Sequence, residues 1–563
     1  MRQNFYEMKN KKSSQLIASL LMVSPALFAA TPDAGTVFKE LNDANQSITA
    51  APEQRKEAEP IRPERVIVPL GNNEDLLVSV KSIQLLGNLP DDVPVEAISQ
   101  ILMEPKAITR MSELKALAAA VEKFVHDAGY PLFYVSIPDQ EIFNGRVRMF
   151  VYNGKIDKVV NVIGDSLRVD EAVLQSYFTD LVAKGGFKRL DFERTMLLVN
   201  DLPGIKAKLV LEPGREAGLI NANLNVVEGT KFRGSVTLDN FGGTQTGHNR
   251  GTLMVKFDDF SGVGDRLTLM ANATSSNLYA GLAEYKRPLG VSGLIGSVNT
   301  LVSNFQIADS GSSLGVKGSS QSYEAGLAYP LLLVFGKNLY VEGSVADRNF
   351  TTEISGTDPQ KKNIQAEKFG FRGSFADTVL MGGTNFGNLY FYNSVVNPKQ
   401  GYADATSQSY QKMTFGLSRS QNLPNGFALQ ANFTGQRTHN QSLDSSEKFS
   451  LGGSSAVRAY GPSAMFVDGG NLFVAEVSKG LGTLGQYGAI KSSFFYDHGV
   501  SLYDQTYGKN KLRGAGVSLA LQQWGSYEFK MVYARRVGKS EQENLPDDQS
   551  SSGRLWLSLI KFF

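Results

Sequence analysis

The sequence predicts a multidomain chain: two small α+β units of βααββ order, followed by a transmembrane antiparallel β-barrel of about 16 strands. Three observations carry this. A strand, helix, helix, strand, strand pattern occurs twice before residue 228. Beyond about Glu228 the helical period disappears and apolar residues alternate with a period of two, to the last residue. The 563-residue chain holds 56 Gly, 33 Phe and 21 Tyr but no Cys, a composition suited to strands and turns.

Composition also excludes function classes. Lys and Arg number 57 against 55 Asp and Glu, a net charge of +2, so the basic stripe of a nucleic-acid protein is not expected. The absence of Cys removes disulfide frameworks, thiol catalysis and Cys-based zinc sites. The four histidines (His126, His248, His439 and His498) show no metal-ligand spacing, so no metal, cofactor or enzymatic activity is expected.

The elements follow in chain order. Arg2, Lys9, Lys11 and Lys12 precede an apolar run from Leu16 to Ala30 that ends in small residues, the pattern of a secretory signal peptide over residues 1–29. Elsewhere no apolar run is long enough for a membrane-spanning helix, so membrane residence must be through strands. Residues 30–74 read as a tether. Thr31-Pro32-Asp33 starts a helix whose Val37, Leu41, Ala44 and Ile48 share one face, and four prolines between Ala51 and Pro69 make an extended linker. A short helix on such a linker can dock and leave again.

The first βααββ unit spans residues 75–153. It reads as a strand over Leu76–Leu86, a helix over Val95–Met103, a second helix capped by Ser112 and ended by Gly129, and strands near Leu132–Ile137 and Arg146–Tyr152. The second, residues 154–228, repeats the order. A strand over Ile156–Ile163 precedes a helix over Asp170–Lys184, a helix capped by Asp191, and strands over Ile205–Leu211 and Leu219–Val227. Open strand edges in such units are templates for an extended peptide.

Residues 229–563 read as the barrel. Thr252–Phe257 and Arg266–Met270 form a hairpin, and Val517, Leu519 and Leu521 alternate with polar or small residues before a turn at Trp524-Gly525-Ser526. Phe529, Met531 and Tyr533 continue the alternation. Leu555, Leu557, Leu559 and terminal Phe563 have the pattern of an outer-membrane barrel's last strand, and Lys561 near its end can snorkel. In Lys491–Gly499, Ser493, Phe495 and Asp497 share a face opposite Phe494 and Tyr496. That polar face should line the lumen, because charge against lipid is costly. Asp497 then needs a partner or water. From the residues alone, Arg458 either folds inward to pair with it or lies in a solvated loop. Gly311-Ser312-Ser313-Leu314-Gly315 matches a hydrolase-elbow pattern but lacks the strand and helix that the elbow requires, and reads as a loop.

Several motifs together resemble the outer-membrane transporters of two-partner secretion, of the haemolysin and filamentous-haemagglutinin exporter type. In the first unit they are Gly129-Tyr130, Ile137-Pro138-Asp139-Gln140 and Gly145; at the first barrel strand, Leu238-Asp239-Asn240 and Gly247. Val457-Arg458-Ala459-Tyr460 is similar to the family's Val-Arg-Gly-Tyr loop motif, with Ala459 where glycine is usual. Phe495, Asp497 and Gly499 match its Phe-x-Asp-x-Gly strand motif, and Glu476 sits where the family places a lumenal Glu.

The resemblance implies a plug helix, two POTRA domains in the periplasm and a 16-stranded barrel in a Gram-negative outer membrane. It also implies a loop held inside the barrel by Arg458 with Asp497 and Glu476. The implied function is capture of a large exoprotein's unfolded N-terminal secretion domain and its threading through the barrel without nucleotide hydrolysis. Outer-membrane lipid is an implied partner, with periplasmic chaperones and the barrel assembly machinery during biogenesis. An insertase for outer-membrane proteins is the alternative that shares these parts.

Overall fold

The computed structural model describes residues 33–49, 76–102, 108–157, 160–184, 188–243, 245–307, 315–401, 408–439, 442–462, 464–503, 508–538 and 553–563. The signal peptide expected at 1–29, the linker prolines and residues 311–314 of the hydrolase-like pattern lie outside them.

In the first unit, Arg146–Asn153 is the central strand. It pairs in parallel with Ser82–Gly87 and antiparallel with Phe133–Ser136. The helix Met111–Asp127 lays Leu114, Ala118, Val121 and Val125 against this sheet, the spacing of one helical face. Helix Val95–Leu102 packs beside it with Ile98 buried in the same core. Two expectations change here. The long helix starts at Met111, so Ser112 lies inside it. Arg110, paired with Leu77 in a short ladder, is held extended and takes the cap position, its N–H bonded to Glu113. The strand expected over Leu76–Leu86 is two, Leu77–Ser79 and Ser82–Gly87, parted where Val80 turns into the core and Lys81 N–H bonds Gly145 O at 2.7 Å.

The second unit is built around Leu219–Glu228, antiparallel to Ile205–Pro213 and parallel to Lys155–Ile156 and Asn161–Ile163. The single strand expected over Ile156–Ile163 is therefore two short ones, and the helix expected over Asp170–Lys184 is also two, Glu171–Ser176 and Thr179–Lys184. Tyr177 and Phe178 between them are both buried, and turning both into the core breaks the helical face. Helix Arg189–Asn200 is capped by Lys188 rather than by Asp191. Asp191 lies in its first turn, where the helix dipole still favours it.

Sixteen strands, each antiparallel to its neighbours, form a closed barrel from Phe232–Asp239 to Gly553–Phe562. The last strand pairs with the first from Ser235↔Phe562 to Asp239↔Ser558, and Phe563 and Gly234 exchange main-chain hydrogen bonds at 2.8 and 3.0 Å. On the last strand Leu555, Leu557 and Leu559 are exposed on the outer face, while Trp556 between them is buried in the lumen. That inversion of inside and outside is what a lipid solvent demands of alternating strands.

The second unit rests on the barrel rim. Arg194 donates from Nη2 to Ser292 O and Pro330 O, both at 3.1 Å, and its guanidinium lies 5.8 Å from the Tyr329 ring centre. Asp170 N–H bonds Gly262 O at 3.0 Å.

Candidate functional site

The segment joining the strands Phe427–Thr438 and Gly469–Thr483 folds into the lumen instead of standing out in solvent. Leu451, Val457, Ala459, Tyr460, Met465 and Val467 are buried. They pack on Leu472, Phe495, Leu512, Val532, Ala534 and Trp556 of the wall. Burial of this apolar set is the main force that brings the loop inward.

One charged knot pins it. In the register of the wall strands, Glu476 lies opposite Phe495 and Val474 opposite Asp497, so a period of two puts Glu476, Phe495 and Asp497 on the lumenal face. Arg458 donates to Asp497 from Nη2 (2.8 Å), Nε (3.0 Å) and its backbone N (3.0 Å), and to Glu476 from Nη1 (2.7 Å). Its guanidinium stacks over the Phe495 ring, 3.3 Å from the centre. Asp497 has no solvent exposure. A fully buried carboxylate needs such a fork, because unpaired it would cost several kcal/mol, on the order of 3–5. Trp556 Nε1 donates to Arg458 O at 2.7 Å, so the last strand holds the same residue from the other side. Arg536 covers the Tyr460 ring at 4.6 Å.

The wall is shaped for this. A Cβ on Gly514 would stand 2.9 Å from the Ala459 Cβ, and one on Gly516 would stand 2.5 Å from Phe495 Cζ. Ala459 is not among the described residues with positive φ, so its methyl group is accommodated without left-handed backbone.

A second anchor lies on another part of the wall, and the sequence reading missed it. Glu447 of the loop is paired with Lys412 Nζ (2.6 Å) and with Arg348, and Asp444 with Lys362 Nζ (2.6 Å). The N-terminal helix Ala34–Thr49 sits on this anchor inside the barrel. Asp33 accepts from Lys362 Nζ (3.1 Å) and Ser445 Oγ (2.7 Å), while its other oxygen caps Thr36 N–H at 2.9 Å. Of the expected face, Val37 and Leu41 are buried and Ala44 is half-buried; the side chain of Ile48 lies outside the description. Ala34, Phe38 and Asn45 are buried as well. Phe38 meets Phe350 edge-on at 5.4 Å, beneath Arg348. The missed lysines and acids carry no local signature, since Lys362 and Asp33 are 329 residues apart. A loop and a helix fill the lumen, each held by ion pairs and an apolar face.

The family model for haemolysin secretion/activation protein ShlB/FhaC/HecB matches residues 218–521. Heme/hemopexin transporter protein HuxB of Haemophilus influenzae strain 86-028NP is 27% identical over 511 residues, covering 87% of this chain and 88% of the relative. HuxB of strain ATCC 51907 is 26% identical over 509 residues, with the same coverage. Among solved structures, CdiB from Escherichia coli superposes with a TM-score of 0.73 at 17% identity, covering 94% of this chain and 99% of that one. CdiB from Acinetobacter baumannii gives 0.64 at 14% identity, covering 95% and 100%. At those identities the superpositions speak for the fold.

Proposed function

The chain belongs to the haemolysin secretion/activation protein family ShlB/FhaC/HecB and is the outer-membrane translocator of a two-partner secretion system, and from this premise we propose how its parts divide the work. Residues 75–153 and 154–228 are POTRA domains standing in the periplasm. They take the unfolded secretion domain of the exoprotein onto open strand edges, where main-chain pairing gives capture without demanding a folded substrate. Residues 1–29 are the export signal and residues 30–74 the plug helix with its tether. The barrel, residues 229–563, is the conduit.

The observation that carries this reading is the lumen occupied by two separable elements. Arg458 with Asp497 and Glu476 holds the loop as a fixture of the pore, and the helix Ala34–Thr49 closes the resting channel until cargo arrives. Folding of the cargo outside biases direction without nucleotide hydrolysis. The HuxB relatives, named for heme/hemopexin transport, favour a haem-scavenging cargo over a haemolysin, adhesin or contact-dependent toxin. The C-terminal Leu555, Leu557, Leu559 and Phe563 serve barrel assembly, with periplasmic chaperones and the assembly machinery as transient partners.

Secretion of the exoprotein, with and without residues 75–228, tests the capture role. Export should vanish with that segment while the barrel still inserts. An intact chain that exports nothing yet rescues barrel assembly in a depletion strain would favour the insertase, which the family match and the relatives support less. Deletion of residues 33–50 should raise ion conductance in planar bilayers, and unchanged conductance would remove the plug.

A further inference from the structure

The sheet of the first βααββ unit has two flanks, and the chain treats them differently. Antiparallel neighbours bond through alternate residues. Leu132 O accepts from Gly154 N–H at 3.2 Å, so Leu132, Tyr134 and Ser136 bond toward the central strand while Phe133 and Val135 bond outward. The chain itself takes those outward groups. Phe133 N–H bonds Tyr130 O (3.2 Å), Phe133 O accepts from His126 Nε2 (2.6 Å), and Val135 N–H bonds Glu122 Oε1 (2.8 Å). Glu122 and His126 stand four residues apart on the helix Met111–Asp127, the spacing that sets two side chains along one line. Further along the same flank, the Gln140 carboxamide takes the place of a strand residue. It accepts from Arg148 N–H and donates to Arg148 O, both at 2.8 Å. Arg146 N–H is bonded to Phe143 O at 3.2 Å.

The other flank is Ser82–Gly87, which ends the sheet. Ser82 N–H bonds Gly145 O (3.2 Å), next to the central strand. In the parallel register Gln84 and Leu86 then bond inward as well, and the main-chain groups of Ile83, Leu85 and Gly87 point away from the sheet. Among the described residues nothing bonds them. An edge strand is ordinarily guarded by charge, proline or a covering element. Ser82–Gly87 holds neither charge nor proline. Ser82 and Gln84 are exposed, whereas Ile83 and Leu85 lie partly buried against the unit's core.

We propose that the exoprotein's secretion domain adds as a strand to Ser82–Gly87, the bare edge of the first unit, and not to Phe133–Ser136. The inference rests on the capture role given above and names its place. The segment that fits is extended, with an apolar residue at every second position. Its main chain pairs with Ile83, Leu85 and Gly87, and its apolar side chains extend the row of Ile83 and Leu85. At Phe133–Ser136 the same segment would first have to break the bonds made by Glu122 and His126.

Hydrogen exchange of the full chain in nanodiscs reads the site, with and without the purified N-terminal domain of the exoprotein that it secretes. On binding, exchange over residues 82–87 should slow about tenfold or more, and exchange over 133–136 should not change. Protection at 133–136 with none at 82–87 overturns the proposal. Leu85→Pro removes one outward N–H and should weaken binding about tenfold, with exchange over residues 111–127 still slow. Undiminished binding by that variant overturns the proposal too. Glu122→Ala with His126→Ala bares the other edge and should leave affinity unchanged, whereas a severalfold gain would place the cargo there instead. Binding that survives deletion of residues 75–228 would remove the capture role itself. Binding that needs that segment yet leaves 82–87 unprotected overturns the proposal alone.

Discussion

Arg458 donates from three side-chain nitrogens and its backbone to two carboxylates of unequal burial, and the inequality sets what each loss does. Asp497 is buried without exposure, whereas the Glu476 side chain keeps 21% of its surface. Asp497→Asn should loosen the loop by about 3–5 kcal/mol, the cost of leaving one charge of a buried pair alone. Glu476→Gln should cost about 1 kcal/mol or less. Protease sensitivity of the loop in outer-membrane preparations, beside secretion, measures the order. Single charge reversals Arg458→Asp and Asp497→Arg should each abolish secretion; if the double reversal recovers none of it, direct pairing fails as the explanation. Gly514 makes a steric counterpart. Gly514→Val would drive a side chain into Ala459 and should expose the loop with every charge intact. The residue types at 458, 476 and 497 were legible because motif and alternation put them in view. The glycine groove was not, since close approach of a loop to a distant wall leaves no pattern along either.

At the scale of elements, Lys362 deserves the sharper experiment because it touches both movable parts. It bonds Asp33 ahead of the helix and Asp444 of the loop, and Asp444 is fully buried. Lys362→Ala should therefore raise bilayer conductance and speed hydrogen exchange over residues 443–448 together. Phe38→Ala removes only apolar packing of the helix, worth about 3 kcal/mol. It should raise conductance and leave the exchange of 443–448 nearly unchanged; equal effects on both readouts would mean that Lys362 does not couple them. The amphipathic face of the helix was readable from Val37 and Leu41. Its seat was not, because Phe350, Lys362 and Asp444 come from separate strands and a loop that only the closed barrel brings together.

Across the whole molecule, the two N-terminal α+β units meet through polar contacts. Asp92 of the first receives Lys188 Nζ of the second at 2.5 Å and the Tyr130 hydroxyl at 2.5 Å. The Lys188 bond first, and the Tyr130 bond with it, hold the Asp92 carboxyl below its usual 3.8, while burial and the Asp92 bond push Tyr130 up to about 12. A lowered carboxyl pKa means stabilisation that is fully present above the ordinary value and is lost as pH falls through the lowered one. Cross-linking between cysteines placed on the two domains should stay constant from pH 7 to about 5 and weaken only in stronger acid. Asp92→Asn should weaken it from pH 7 to about 5, to the level the unaltered chain reaches in strong acid, and remove the acid step. The second unit is itself fastened to the rim by Arg194 and Asp170.

By itself the sequence determined the class of every large part. Period two with apolar outer residues specifies strands in lipid, and the repeated order of strands and helices specifies two small mixed units. Both follow from local geometry, so both are written in neighbouring residues. Boundaries moved by a residue or two where burial overrode a local signal, as Tyr177 and Phe178 broke one helix and the strand at Arg110 displaced Ser112 as a cap. The motifs pointed to a helix and a loop in the lumen, but only the tertiary structure decided how they are seated there. The Lys362 bridge joins residues 329 and 82 positions away, and Trp556 reaches Arg458 across 98. Such contacts exist only after sixteen strands have closed in register, because closure is what makes an inside.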